Sequence, residues 1–249
     1  MCTNYVPSRG ERLLEHFGLT DDGFGWREEV FPGHLAPIIR VSPLTGKAEL
    51  TVACFGLIPH WSRDGRNYRH CYNARSETVA EKPSFRSAWR RSQTCIVPAD
   101  AFFEPSYETG RPVRWRIERT DARPLALAGI WDAWRRPAGD GGTPLGPPDA
   151  AALDDDWLVS FSLLTVNADA HPVMSAFHAP GDEKRSVAII ASDDIQTWLQ
   201  ARPEQAATLF AAPPADSLSS RTAPLPPRRA KAPPAPRPRA RQTGHDHSD

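Results

Sequence analysis

Trp157-Leu158-Val159-Ser160-Phe161-Ser162-Leu163-Leu164 is a run of aliphatic, β-branched and aromatic residues. It follows 137–156, a Gly/Pro/Asp-rich stretch that reads as a long loop between two strands. The run itself suits a strand. Similar short runs recur at 50–57, 94–97, 113–117, 125–130 and 186–190, with Gly, Pro and Asp between them. Helical patterns are fewer, at 9–17, 84–91 and 193–200, the last following Ser192 as an N-cap. There is no internal repeat and no regular β-α alternation. This order predicts an α+β fold, a single domain with a dominant, mostly antiparallel and barrel-like sheet and flanking helices.

The chain has 249 residues, which at about 150 per domain allows one or two domains. Eight Trp and ten Phe can fill a core, so collagen, a coiled coil and a wholly disordered chain are excluded. No window approaches the roughly 20 apolar residues of a membrane helix, and MCTNYVPSRGERLLEHF has no apolar signal core. A cytoplasmic protein, in a bacterial cytoplasm or beside the nucleoid, with no membrane partner is therefore expected.

Thirty Lys+Arg balance 30 Asp+Glu. The balance is not uniform. Residues 211–249 hold nine prolines, no aromatic residue, and seven basic against three acidic side chains, a net of +4 that leaves −4 for 1–210. A Pro/Ala/Arg segment buries too little apolar surface to offset chain entropy. The expectation is a folded domain over 1–210 and a disordered tail over 211–249.

The four cysteines are Cys2, Cys54, Cys71 and Cys95, with no C-x-x-C pair. Neither a zinc site nor a disulfide framework is expected. Cys2 is set apart by its position. With Met1 removed it carries an α-amine of reference pKa about 7.7–8.0 beside a thiol of about 8.5. A 1,2-aminothiol attacks an aldehyde twice: the amine forms a Schiff base, then sulfur closes a five-membered thiazolidine. An internal cysteine, whose nitrogen is an amide, cannot do this.

Four segments join Cys2. Phe55-Gly56-Leu57-Ile58-Pro59 leads to Trp61, and Asn73-Ala74-Arg75-Ser76-Glu77-Thr78 follows. Then come Pro98-Ala99-Asp100-Ala101-Phe102-Phe103-Glu104 and Asn167-Ala168-Asp169-Ala170-His171-Pro172, running on to Phe177-His178 and Asp182-Glu183-Lys184-Arg185. In this order they resemble the SOS response-associated peptidase (SRAP) family of abasic-site processing proteins, over about residues 1–200. The resemblance implies a sensor of abasic sites in single-stranded DNA that cross-links to the sugar aldehyde through its N-terminal Cys. It needs no cofactor or metal, and a monomer is expected. By match, Cys2 is the nucleophile, Asn73 orients the sugar or amine, Glu104 is the acidic catalytic residue and His178 the histidine. Arg75 matches a DNA-backbone contact, and Pro37 and Trp61 match positions that pack against bases.

The chain departs from the family pattern in places. Cys2-Thr3-Asn4 replaces Cys-Gly-Arg, Phe55 and Pro105 stand where Trp is usual, and His178 is followed by an insertion. That insertion makes Arg185 or Lys184 the candidate for the family's DNA-facing Arg. It also leaves His171 as a rival to His178.

The chemistry is coherent with these residues. Ring opening of the sugar needs a proton on the ring oxygen, which His178 or Glu104 can supply, and Glu104 beside Phe102-Phe103 can shuttle a proton during imine formation. Arg63, Arg66, Arg69 and Arg75 interleave with Trp61, Tyr68 and His70, and Arg86, Arg90 and Arg91 with Trp89, as a stacking-plus-phosphate surface would require. Taken singly, each residue has an ordinary alternative: a core Trp, a turn Asn, a loop His. Two other functions compete, a Cys-His (auto)peptidase and a non-covalent single-strand binder.

Overall fold

The structure is a computed structural model that describes residues 2–20, 23–137, 145–153 and 156–225. In chain order its strands begin with β1 (Tyr5–Pro7), β2 (Leu35–Val41), β3 (Ala48–Phe55) and β4 (Asn73–Arg75). They continue with β5 (Thr94–Ser106), β6 (Val113–Arg119), β7 (Leu125–Arg135) and β8 (Trp157–Asn167). The last are β9 (Arg185–Val187), β10 (Ile189–Ile190), β11 (Phe210–Ala211) and β12 (Leu218–Thr222). The helices are α1 (Glu11–Phe17), α2 (Arg86–Arg90), α3 (Ile195–Gln200) and α4 (Pro203–Ala206).

Strand pairing closes on itself. β7 pairs with β8, β8 with β3, β3 with β2, β2 with β5, and β5 returns to β7. This is the α+β single domain with a barrel-like sheet that the sequence predicts. The sheet is mostly antiparallel; β3 and β4 each run parallel to β8. Inside, Phe55 stacks on Phe161 with centroids 5.3 Å apart and meets the edge of Tyr5 at 5.5 Å. Both arrangements are favoured by the aromatic quadrupole.

The strand over 157–164 runs on to Asn167. The run at 94–97 is the start of a strand thirteen residues long. It passes two prolines because its partners change along it. Residues 94–99 pair with β7, 99–102 with β1, and 102–106 with β6. Pro98 lacks a donor, but its carbonyl still accepts the Ser8 N–H at 3.0 Å. β3 stops one residue before Gly56, which has φ 106°, and a Cβ there would lie 2.3 Å from the Tyr68 carbonyl oxygen. Only glycine permits that approach.

The 186–190 run divides into β9 and β10, with Ala188 bridging Leu164 and Ala128. Ser192 is not the N-cap of α3: it lies in a short 3₁₀ turn, Ser192–Asp194, and makes no capping bond. α3 docks on the barrel instead. Trp198 Nε1 donates to the Cys95 carbonyl and Thr94 Oγ1 donates to the Trp198 carbonyl, both at 2.9 Å. α1 ends at Gly18 in the left-handed conformation, whose N–H reaches the Leu14 carbonyl.

The expected boundary at 210 is corrected. β11 pairs with β10, and β12 pairs with β6 over five residues while burying Leu218. An edge of β6 that needs hydrogen-bond partners holds this part of the Pro-rich segment, although its own side chains are mostly exposed. The remainder of the expected tail, 226–249, lies outside the described residues.

These contacts give a test. Truncation after Leu225 should leave the melting temperature unchanged. Truncation after Phe210 removes the β12 ladder together with the buried Leu218 side chain, whose burial is worth about 2 kcal/mol, and should lower the melting temperature by several degrees. Equal melting of the two truncations would show that β12 adds nothing.

Candidate active site

The site starts from the pairing of β1 with β5. Tyr5 lies opposite Phe102, and the Phe103 N–H bonds the Asn4 carbonyl at 3.2 Å. This draws Cys2 to full burial against β5, where its Sγ donates to the Asn4 carbonyl at 3.3 Å. Glu104, one residue beyond Phe103, is 1% exposed. The Cys2 thiol is pushed up to about 12, chiefly by burial and then by the negative charge of Glu104, against the opposing Phe103 N–H.

Two other elements close on this pair. β4 lies parallel to β8 with Asn73 opposite Leu163, and Asn73 Nδ2 donates to the Cys2 carbonyl at 2.8 Å. Asn73 Oδ1 is buried with no hydrogen-bond partner among the described residues. From the far side, Phe177 bridges to Ser106 and the His178 N–H bonds the Pro105 carbonyl at 2.7 Å. His178 then places Nε2 3.0 Å from Glu104 Oε2, both groups being buried. His178 holds φ 68°, a left-handed backbone rare outside glycine. Cys2, Asn73, Glu104 and His178 thus meet in one buried cluster. Hydrogen-bond partners around it are fixed before any substrate arrives, which is the preorganisation acid–base chemistry needs.

The rival histidine is placed elsewhere. His171 Nδ1 accepts the N–H groups of Val173 and Met174, and its Nε2 lies 2.7 Å from the Pro213 carbonyl. A ring whose Nδ1 accepts must carry its proton on Nε2, so His171 is a turn-locking neutral imidazole.

The remaining candidates divide. Trp61 is 50% exposed and available for a base to stack on. Arg75 is also exposed, and pairs with Glu183 at 2.7 Å. Pro37 is not at the surface: it is buried in mid-β2 opposite Val52. Arg185 is corrected too. It is 2% exposed, grips both Glu77 oxygens at 2.8 and 2.9 Å, and bonds Glu183 and the Thr165 carbonyl at 2.7 Å. A buried guanidinium so enclosed ties the loop to the barrel and does not face a strand. Trp89 and Tyr68, expected as stacking platforms, are core residues. Arg63, Arg66, Arg69, Arg86 and Arg90 do lie at the surface.

Sequence reasoning missed two supports. Glu77 anchors Arg185, and its signal was present within the Asn73–Thr78 motif. Lys184 sends Nζ to the carbonyls of His178 and Ala179 at 3.2 and 2.8 Å, holding the turn that carries His178. Among the described residues no cluster of His, Cys, Asp or Glu could hold a metal ion.

The family model described as SOS response associated peptidase (SRAP) matches residues 1–224. The abasic site processing protein YoqW of Bacillus subtilis is 38% identical over 146 residues, 56% of this chain and 64% of that protein. The abasic site processing protein HMCES of Xenopus tropicalis is 25% identical over 58% of this chain and 43% of its own length. The alignments therefore span less than two thirds of these relatives. A crystal structure of a Bordetella bronchiseptica protein superposes with TM-score 0.76 at 31% identity, covering 90% of this chain and all of that one. One from Bacteroides thetaiotaomicron shares the fold, with TM-score 0.69 at 22% identity.

The raised Cys2 thiol has a measurable consequence. Iodoacetamide labelling of Cys2, read by mass spectrometry, should stay slow through pH 9 and accelerate only above it. Glu104→Gln should bring that rise to lower pH. The sign for stability follows. The group's contribution is complete below the unfolded thiol value of about 8.5 and is lost as pH climbs toward about 12. Labelling at pH 8 as fast as that of a free peptide thiol would contradict the assignment.

Proposed function

The chain belongs to the SOS response associated peptidase family, and from that premise we propose that it captures abasic sites in single-stranded DNA by a covalent bond to Cys2. The observation that carries this reading is the convergence on Cys2 of Asn73 from one side and of the Glu104–His178 pair from the other.

With Met1 removed, the Cys2 α-amine adds to the aldehyde of the ring-opened sugar. The carbinolamine hydroxyl takes a proton from the Glu104–His178 pair and leaves as water, and the nitrogen gives its proton back to the pair, leaving the imine. Sulfur then bonds the imine carbon, and the thiol proton passes through Glu104 to the imine nitrogen. The product is a thiazolidine, and the net loss is one water. The order follows from ionisation: a thiol pushed up to about 12 stays protonated at neutral pH, so the amine, at a reference of about 7.7–8.0, attacks first. The Asn73 bond to the Cys2 carbonyl fixes the residue's orientation. Its buried Oδ1 is placed to accept an amine or sugar hydroxyl proton without adding charge. Run backward, the same groups hydrolyse the ring, so reversal is slow but permitted.

Strand positioning falls to the surface. Arg75 offers charge to the phosphate backbone and Trp61 an open ring face. The protein acts as a cytoplasmic monomer in this reading. A peptidase is less well supported. It would want a thiolate–imidazolium pair, whereas burial and Glu104 oppose thiolate formation and His178 Nε2 is directed at Glu104.

Incubation with a single-stranded oligonucleotide carrying one abasic site should give a heat-stable adduct, absent with intact DNA and lost in Cys2→Ala. An adduct that persists in Cys2→Ala would overturn the reading. Glu104→Gln should slow cross-linking by about 10²-fold or more, the scale of lost acid–base catalysis, with strand affinity nearly unchanged. Arg75→Ala should do the reverse, weakening affinity several-fold while the rate at saturation is kept. Unchanged rate and affinity in both variants would remove those two roles.

A further inference from the structure

Beside Trp61, and apart from the Cys2 cluster, a buried carboxylate organises two surface cations. Asp132 in β7 is 3% exposed. One oxygen accepts both the backbone N–H and Nδ1 of His60, at 3.0 and 3.1 Å. The other accepts Arg91 Nη2 at 2.8 Å and the Ala133 N–H at 2.9 Å. A carboxylate only accepts, so His60 carries its proton on Nδ1 and its Nε2 is left uncommitted among the described residues. Arg91 also sends Nε to Gln93 at 2.6 Å, and Nη1 lies 3.5 Å from the His60 ring.

The arrangement has features that a stability role does not require. Arg91 and His60 keep 44% and 42% of their side chains exposed while their inner atoms are fixed. Of the five Arg91 donors, Nε and one on Nη2 are committed inward, so Nη1 and the second Nη2 proton remain for a ligand. A guanidinium held rigidly at the surface loses little rotamer entropy on binding a phosphate, which Arg matches with paired donors. The next residue to His60 is Trp61, whose ring is half exposed. Arg63, Arg66, Arg86 and Arg90 are exposed on the flanking segments.

We propose that Arg91 and His60, tethered by Asp132, form a seat for a backbone phosphate of the single strand, one nucleotide step from a base stacked on Trp61. None of these three residues belongs to the Cys2 cluster, and in this proposal the seat grips the strand on one flank of the lesion. This rests on the single-strand reading above and adds to it a second contact region, with Arg91 as the phosphate donor and Asp132 as its positioning residue.

Fluorescence anisotropy on three strands that carry a reduced, aldehyde-free abasic sugar tests it without any cross-linking. One strand spans both flanks and the other two each lack one flank. The full-length chain is compared with Arg91→Gln and His60→Gln, both surface changes whose folding is checked by melting. On the full strand, Arg91→Gln should weaken binding about tenfold, the scale of one charge-assisted hydrogen-bonded contact. It should also make the slope of log K against log salt shallower by about 0.7. His60→Gln should weaken binding by less. The loss should persist on one truncated strand and vanish on the other. Affinity within twofold of the parent, or an equal loss on both truncated strands, would overturn the seat. Adduct formation by the parent is scored separately on abasic DNA. Its failure would sink the covalent reading while the binding data still decide this one.

Discussion

The pairing of β1 with β5 is the constraint on which the rest depends. Three residues of strand, anchored by the Phe103–Asn4 hydrogen bond and the buried Tyr5 ring, hold the first residues of the chain inside a closed sheet. Chain termini are usually frayed. Here Cys2 is fully buried, and it lies beside Glu104 because β1 pairs with β5 in the register that sets Tyr5 opposite Phe102. A reactive residue at the end of a chain would otherwise sweep through many positions. Under the proposed chemistry, ordering it in advance would make an encounter with an aldehyde a reaction between fixed neighbours.

Burial sets the chemistry as well as the position. It suppresses the Cys2 thiolate, and it leaves Glu104 and His178 3.0 Å apart as the proton path that the proposed chemistry would use. The left-handed His178 backbone is sustained by Pro105 and by Lys184, and the segment beyond it is tied down by Arg185 against Glu77 and Glu183. Charge near the site is therefore mostly spent inside the protein. In the proposed reading, positioning of a strand falls to the exposed Trp61 and to surface arginines, so reaction and grip would reside in different residues. The zero net charge of the chain is consistent with this division: a local basic rim needs no overall excess.

Much of the fold was legible. The 157–164 run announced its strand through Val159, Phe161 and the aliphatics around them, and the four reactive candidates stood in recognisable motifs. Spacing could not place His178 against Glu104, since 74 positions separate them and only the β5–β6 sheet and the Phe177 bridge bring them together. β2 was missed because Pro37 disguises it. β5 was cut short because Pro98 reads as a terminator when its changing partners are unknown. Ser219, Ser220 and Arg221 carry no apolar signal, so β12 was read as tail; the β6 edge supplies what those side chains lack. Arg185 was read as facing DNA because sequence gives a charge but not the two carboxylates that enclose it. His60 and Asp132 escaped notice for the same reason, being 72 residues apart.

The central claim is that both the nitrogen and the sulfur of Cys2 end up on one sugar carbon. A mass spectrum of the N-terminal peptide, digested from the cross-linked species after alkylation, tests this most directly. The account predicts a sugar remnant on Cys2 with one water lost, no alkyl group on its sulfur, and no change of mass after borohydride treatment. A remnant on a lysine, or on Cys2 with an alkylatable thiol or a reducible imine, would contradict it.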